Sequence, residues 1–228
     1  MILIVDMHQP ERYDTAGGYF ALKRKIEKIT GYPCVVMSYP EVTIDFVERY
    51  GIKAIFITGT GYDWGTVPVP KLHNISDLMH QTTLPTYGAC GGHQLLGFMF
   101  NRDLRRVEQL ADEPMRKLKP GEPDWCDAYR PGYFKEKGIH PIEIVKRDPL
   151  FTGLPRTMLL PESHYCEIKK LPEDFVLLAS SENCKIQVMR HTKRPIYGCQ
   201  FHAENWTDAY PHGKRVIENF LRIAGLCE

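Results

Sequence analysis

The sequence predicts an α/β fold: a doubly wound, mostly parallel sheet flanked by helices, with a small antiparallel hairpin region. The first hundred residues carry short, continuous apolar runs that alternate with longer amphipathic segments. Such alternation is typical of a parallel sheet that is covered by helices on both faces. Nearer the C-terminus, two strand-like runs follow each other without a helical pattern between them, which indicates a hairpin.

The first half of the chain supplies the parallel strands and their helices. Buried-strand patterns occur at 2–5, 34–37 and 54–57, and a further apolar run from Leu84 leads into Gly88. Helical patterns occur at 14–29, 42–50 and 75–81, and a last one passes through Leu95, Leu96, Phe98 and Met99. Because ligands bind outside the carboxyl ends of strands in such sheets, the loop after residue 57 and the turn after residue 89 are candidate site segments.

The second half adds shorter strands and a closing helix. Alternating residues predict a strand at 139–145, and a turn at 148–155 precedes an apolar run at 158–160. The two hairpin strands are predicted at 175–180 and 186–189, and a final buried strand at 195–201. An apolar stripe from Val216 to Ala224, followed by Gly225, predicts the last helix.

We expect residues 1–228 to form a single domain, with an irregular surface excursion at about 108–137. That segment is charged and interrupted by prolines, and it could not bury a core of its own. Its aromatic residues either dock a partner, act as a lid or cover a flank of the core, and the sequence does not decide between these. They are Trp125, Tyr129, Tyr133 and Phe134.

Composition excludes several classes of protein. A formal net charge of +1 gives no reason to expect a nucleic-acid partner. Seven cysteines are irregularly spaced and contain no C-x-x-C pair, so neither a disulfide framework nor a structural zinc site is expected. Reduced thiols indicate a cytoplasmic protein. The apolar N-terminus is too short for a signal peptide, and no stretch reaches the length of a membrane span.

The turn around Cys90 carries the main chemical signal. Cys90 lies between small residues, with Gly88 before it and Gly91 and Gly92 after it, at a predicted strand-to-helix turn. This is the pattern of a nucleophile elbow with cysteine in place of serine. The N-terminus of the following helix favours the thiolate form. The N–H of Gly91 can form half of an oxyanion hole.

His202 and Glu204 supply the base and the group that orients it. They follow the final strand two residues apart, so we expect their side chains to point the same way and to hydrogen-bond. Cys90, His202 and Glu204 are therefore the predicted catalytic triad. His93 is interpreted as a packing or capping residue, and no ligand spacing supports a metal site, so no metal or cofactor is predicted.

Two motifs together resemble the class I (triad) glutamine amidotransferases. Residues 87–94 read Y-G-A-C-G-G-H-Q, like that family's G-x-C-x-G-H-Q elbow, and residues 197–204 end in Q-F-H-A-E, like its Q-F-H-P-E motif. The T-G-T-G-Y-D loop at 58–63 and the E-S-H-Y-C stretch at 162–166 are similar to further family segments. Thr60 and Ala203 stand where the family has prolines.

The resemblance implies a set of site residues. Backbone N–H groups of Gly59 and Gly91 would stabilise the oxyanion. The residues that would contact L-glutamine are Gly61, Gln94, Ser163 and His164. It also implies the reaction: hydrolysis of the glutamine side-chain amide through a thioester on Cys90.

A partner synthetase on another chain is expected to receive the ammonia. The glutaminase domain uses the whole length, and no G-x-x-x-x-G-K-[ST] phosphate loop is present. One alternative is a γ-glutamyl hydrolase, which would turn over γ-glutamyl amides or peptides by the same chemistry. A second alternative is a catalytically silent regulatory binding module, which would not react with a glutamine-mimicking electrophile.

Overall fold

A computed structural model describes residues 1–8 and 19–228, and these residues build one sheet with helices on both faces. In chain order its strands are β1 (Ile2–Asp6), β2 (Cys34–Ser38), β3 (Ala54–Ile57), β4 (Thr86–Ala89), β5 (Glu136–Ile144), β6 (Thr157–His164), β7 (Phe175–Ser180), β8 (Val188–His191) and β9 (Ile196–Cys199). The helices are α1 (Tyr19–Thr30), α2 (Ile44–Arg49), α3 (His73–Gln81), α4 (Gly91–Asn101) and α5 (His212–Ile223).

The strand order in the sheet is β2-β1-β3-β4-β9-β8-β7-β5-β6. The first five strands in that order pair in parallel, which is a doubly wound arrangement. The remaining pairs are antiparallel. The α/β fold class is thus confirmed, as a mixed sheet whose antiparallel part is larger than the predicted hairpin.

Alternating side chains of the parallel strands enter two different cores. Leu3 and Val5 of β1 pack with residues of α2, α3 and α4 on one face. Ile2 and Ile4 pack with α1 and α5 on the other face, where Phe220 contacts the ring of Phe56 edge-on at 5.1 Å between centroids. Burial on both faces explains why these strands read as continuous apolar runs.

Element boundaries differ from the predictions mainly in the antiparallel part. Strand β5 starts at Glu136 rather than at 139, and β6 extends to His164 rather than ending at 160. Strand β8 is shifted by two residues, to 188–191. The first predicted helix began at 14, and its residues 14–18 lie outside the described residues. The additional residues of β5 and β6 are mostly polar, so a prediction based on apolar residues ended both strands too early.

Residues 107–135, all of them described, form neither a helix nor a strand. Ion pairs nevertheless fix the path of residues 107–135. Arg116 makes a bidentate pair with Glu122, at 2.7 Å for both contacts, and stacks on Phe134. Trp125 projects outward with 64% of its surface exposed. In the described ranges no helix has the length and apolarity needed to cross a membrane.

Candidate active site

Cys90 lies in a sharp turn between β4 and α4. Its φ of 48° is in the left-handed region, which is strained for a residue with a side chain. The turn requires glycine on the helix side of Cys90, because neighbouring backbone atoms leave no room there for a Cβ. A Cβ on Gly91 would lie 2.5 Å from the backbone nitrogen of Thr60, and one on Gly92 would lie 2.4 Å from the carbonyl oxygen of Ile57. The strand, turn and helix predicted around Cys90 are therefore present.

Gly92→Ala is expected to lower the free energy of unfolding by about 1–3 kcal/mol or more, because the new methyl group forces α4 away from β3. Urea unfolding measures this change. Gly61→Ala is the control, since nothing lies within 4 Å of a Cβ there and its φ is not positive. Equal unfolding free energies for the two variants would contradict the packing described for the elbow.

The structure brings His202 and Glu204 to Cys90. Parallel pairing of β4 with β9 places their carboxyl ends side by side, and the Cys90 N–H donates to Cys199 O at 2.8 Å. His202 Nδ1 lies 2.6 Å from Glu204 Oε1. The other edge of the ring faces the sulfur, and a Cβ on Gly59 would lie 3.2 Å from His202 Cε1 and 3.5 Å from Cys90 Cβ. The three predicted triad residues thus form a continuous chain of contacts.

His202 and Glu204 do not lie on the extended strand end that the sequence predicted. Strand β9 ends at Cys199, and Glu204 lies in a short 3₁₀ turn over Ala203–Asn205. The His202 N–H donates to Pro161 O at 2.9 Å, which ties this turn to β6. Strand alternation therefore does not align the two side chains; the turn does.

The electrostatics of the group favour a charged imidazole. Burial alone would lower the pKa of His202, but the neighbouring Cys90, through its charge and a hydrogen bond, and then Glu204 raise it well above the ordinary value. An imidazolium beside a thiolate is the resting state that a cysteine nucleophile needs.

Gly59 and Gly91 both lie against the Cys90 turn. The carbonyl oxygen of Gly59 accepts a hydrogen bond from the Tyr19 hydroxyl at 2.9 Å. Thr58 Oγ1 accepts from Met7 N and donates to Val5 O, both at 3.0 Å, which anchors the loop to the end of β1. The position of the two glycines suits an oxyanion hole, and that role stays a prediction.

A cavity of about 420 Å³ opens over Cys90. All four residues predicted to contact glutamine line it, namely Gly61, Gln94, Ser163 and His164. Ser163 O lies 3.9 Å from Cys90 Sγ. The Gln94 amide is already engaged, accepting from Trp64 Nε1 and donating to Cys166 O, both at 2.8 Å. Gln94 therefore shapes the cavity wall, and its predicted contact with the substrate is untested.

Three lining or neighbouring residues were not predicted. Gln200 Nε2 lies 3.6 Å from Cys90 Sγ, and its place within the Q-F-H-A-E motif could have indicated it. Asp112 and Tyr129 come from the irregular segment and line the cavity, where the Tyr129 hydroxyl donates to the Asp112 carboxylate. Nothing in the local sequence pattern places Asp112 there, whereas Tyr129 is one of the aromatic residues for which a lid was among the roles left open.

A buried charged cluster lies behind the cavity wall. His164 Nε2 is 2.8 Å from Glu136 Oε2 and 3.4 Å from Glu162 Oε2, and all three side chains are at most 1% exposed. Burial would lower the pKa of His164, but Glu162 and Glu136 raise it to about 9. Burial raises the pKa of Glu162 to about 7. The two glutamates were not predicted as part of the site.

His93 lies on the opposite side of the elbow helix from solvent. Its ring is fully buried, its Nε2 bonds to Ile186 O at 2.9 Å, and burial lowers its pKa to about 3. A Cβ on Gly198 would lie 2.5 Å from His93 Nδ1, so the ring fills the space beside β9. A neutral, packed histidine agrees with the interpretation as a packing residue.

Sequence comparison identifies the family to which this arrangement is similar. Residues 19–224 match the family model described as "Glutamine amidotransferase class-I". A glutamine-hydrolyzing GMP synthase subunit from Pyrococcus abyssi is 32% identical over 180 residues, covering 76% of this chain and 79% of the relative. Its counterpart from Methanopyrus kandleri is 29% identical over 227 residues, covering 99% of both chains.

Solved structures show the same fold. A putative GMP synthase subunit from Thermoplasma acidophilum matches with a TM-score of 0.67 and 23% identity, covering 99% of this chain and 94% of that one. The glutaminase domain of the Trypanosoma brucei protein CTPS, solved with bound acivicin, matches with a TM-score of 0.69 and 15% identity, covering 100% and 95%. At these identities the likeness shows the fold alone.

Proposed function

The chain belongs to the class-I glutamine amidotransferase family, and on that premise we propose that it hydrolyses the side-chain amide of L-glutamine at Cys90. The observation that carries this proposal is the contact chain from Glu204 through His202 to Cys90 at the mouth of a cavity. The named relatives are glutamine-hydrolyzing proteins. They favour glutamine over a larger γ-glutamyl substrate and an enzyme over a silent binding module.

The first half of the proposed reaction forms the thioester. The Cys90 thiolate attacks the amide carbon, and the N–H groups of Gly59 and Gly91 stabilise the oxyanion that develops. Losing one such donor costs about 3 kcal/mol of transition-state stabilisation in other enzymes. The His202 imidazolium then gives its proton to the departing nitrogen, which leaves as ammonia. The thioester and a neutral imidazole remain.

The second half releases glutamate. The neutral His202 takes a proton from a water molecule, and the resulting hydroxide attacks the thioester carbonyl. Collapse of that intermediate expels the thiolate and releases the carboxylic acid of glutamate, which loses its proton to solvent, so that the thiolate–imidazolium pair is restored. Glu204 keeps Nδ1 of His202 protonated and holds the orientation of the imidazole ring throughout, because its carboxylate accepts a hydrogen bond from that nitrogen.

The ammonia is proposed to pass to a synthetase on a separate chain, of the kind that makes GMP. The relatives described above are each named as one subunit of that enzyme, and this chain covers 79–99% of their length. Trp125, exposed on the irregular segment whose Tyr129 lines the cavity, is a candidate contact for such a partner. A cytoplasmic location belongs to the same proposal, and all seven cysteines, each in the described ranges, are free.

Reconstitution tests the function and the partner together. We expect the isolated chain to release glutamate slowly from glutamine, and the partner synthetase with its nucleotide substrates to raise the rate at least about fivefold. Glutamate and GMP are measured in the same reaction. In the control, Cys90→Ser chain with added ammonium chloride should still support GMP formation by the synthetase. Full-rate hydrolysis by the isolated chain, unchanged by the synthetase, would contradict the coupling.

A further inference from the structure

The buried cluster behind the cavity has the geometry of a cation site. In the antiparallel pairing of β5 with β6, Glu136 lies opposite His164. Glu162 is two residues before His164 on the same strand, so it projects from the same face of the sheet. One ligand atom from each of the three residues lies within 4.8 Å of the others. Side chains from two rigid strands thus converge on one point.

The carboxylate of Glu162 is only weakly compensated at that point. Its side chain is 0% exposed and faces the His164 ring at 3.4 Å and the Gln187 amide, and neither of its oxygens accepts a well-aligned hydrogen bond from the described residues. The amide of Gln187 lies beside this carboxylate, and its Oε1 is also buried without a donor in the described part of the chain. Buried carboxylates are normally paired, protonated or bound to a metal. Without a metal, the imidazolium of His164 is the positive species among these oxygens, and a metal cation could take the place of its Nε2 proton.

The orientation of His164 is one that a metal ligand would have. Its Nδ1 donates to Cys166 O at 2.9 Å, which directs Nε2 at the two carboxylates. A metal-binding histidine commonly donates its second nitrogen to a backbone carbonyl in this way. Bonds of about 2.0–2.2 Å place tetrahedral ligand atoms roughly 3.3–3.6 Å apart. The separation of 3.4 Å from Nε2 to Glu162 Oε2 matches that spacing, whereas the 2.8 Å separation to Glu136 Oε2 is a hydrogen-bond distance that would lengthen when a metal replaces the proton.

We propose that Glu136, Glu162 and His164 bind one divalent transition-metal cation, with water as the fourth ligand. Imidazole nitrogen with carboxylate oxygens suits Zn²⁺, Co²⁺ or Mn²⁺. The metal would displace the proton from His164 Nε2, after which two carboxylates and a neutral imidazole carry a charge of −2 that a divalent cation balances. The ion can reach the cluster through the cavity over Cys90, which His164 lines.

The bound ion would stabilise the wall of the cavity. Ser163 lies between the ligands Glu162 and His164, and its carbonyl oxygen is 3.9 Å from Cys90 Sγ. Fixing both neighbours of Ser163 to one ion holds that carbonyl in place beside the nucleophile. The role is structural, so metal binding is measured without reference to glutamine hydrolysis.

The test uses the full chain carrying Cys90→Ser, so that the nucleophilic thiol does not compete for metal. Protein treated with a chelator is dialysed against CoCl₂ or ZnCl₂ and desalted, and its metal content and cobalt absorption spectrum are recorded. We expect one ion per chain, visible d–d bands without a thiolate-to-cobalt charge-transfer band, and a higher thermal unfolding midpoint. Glu162→Gln should weaken binding at least about 100-fold. Glu143→Gln, on an exposed position of β5, is the matched control and should bind normally.

Three results would overturn the proposal. The first is a chain that retains no ion and whose unfolding midpoint does not respond to either salt, which would mean that a proton on Glu162 neutralises the cluster. The second is equal affinity in folded Glu162→Gln protein. The third is a thiolate charge-transfer band, which would assign the ion to a cysteine. Metal content and unfolding of the parent chain decide the first case even if Glu162→Gln does not fold.

Discussion

Replacing Cys90 with serine is expected to lower kcat for glutamine hydrolysis by about 10⁴- to 10⁶-fold, the range found when a nucleophile is removed from a triad. A serine hydroxyl is not ionised at neutral pH and is a weaker nucleophile than the Cys90 thiol, which faces His202. The helix N-terminus and the strained turn would remain, but they would have no anion to stabilise. Glutamate release under saturating glutamine measures the effect.

Cys227→Ser serves as the control, because Cys227 lies beyond the last helix, at the margin of the core, and its thiol hydrogen-bonds to Glu218 O. It should retain full activity. A glutamine-mimicking electrophile should label the parent chain and the control at one cysteine, and excess glutamine should protect it. Cys90→Ser should remain unlabelled. Unchanged turnover by Cys90→Ser would remove Cys90 from the mechanism.

The parallel half of the fold was predictable because its inner strands β1 and β3 are buried on both faces and the edge strand β2 is at least half-buried. Continuous apolar runs at 2–5, 34–37 and 54–57 leave no other way to bury so many β-branched residues, and each became a strand within one residue of its predicted ends. Helix α3 was also close, starting at His73 rather than at 75. In these elements one physical cause, burial, determines both the pattern and the structure.

The antiparallel half was harder because hydrogen bonding rather than burial defines its ends. Strand β5 has several exposed residues and carries Glu136 at its buried start. Strand β6 continues through Glu162 to His164, which are buried although they are polar. No rule based on apolar pattern extends a strand over such residues. For that reason the cluster that they form could not be seen from the sequence.

In the candidate site, too, residues that follow buried strands could be predicted and residues on irregular segments could not. Cys90 and His202 could be placed together because each follows a buried strand, and the carboxyl ends of β4 and β9 meet. Tyr129 could not be placed, since the path of the irregular segment depends on contacts such as the Arg116–Glu122 pair rather than on a repeating pattern. Family resemblance named Gly61 and Ser163, and in the structure both line the cavity.

Replacing His202 with alanine is expected to lower kcat about as much as the loss of Cys90, by about 10⁴- to 10⁶-fold. The imidazole is the partner that holds the thiolate, and the same ring must protonate the departing ammonia. Glu204→Gln should have a smaller effect, about 10²- to 10⁴-fold, because the amide can still contact Nδ1 but no longer stabilises the imidazolium. Both variants are compared with the parent by glutamate release.

The pH profile separates a catalytic His202 from one that merely packs. Because Glu204 is one of the groups that raise the pKa of His202, its carboxylate extends the alkaline limb of kcat/KM to higher pH. In Glu204→Gln that limb should shift to lower pH, since the imidazolium loses its proton earlier. A general loss of stability would lower the rate without moving the limb. An unmoved limb in a folded Glu204→Gln chain would therefore contradict the assignment.

Combining the substitutions gives the sharpest form of this test. If Cys90 and His202 act on one another's charge, the thiolate–imidazolium pair is already lost in either single variant. Cys90→Ser with His202→Ala should then be no slower than Cys90→Ser alone, as found for residues that act as a unit. Additive losses would mean that the two residues contribute through separate steps. The 2.6 Å contact between His202 and Glu204, and the position of both Cys90 and the His202 ring against Gly59, favour the non-additive outcome.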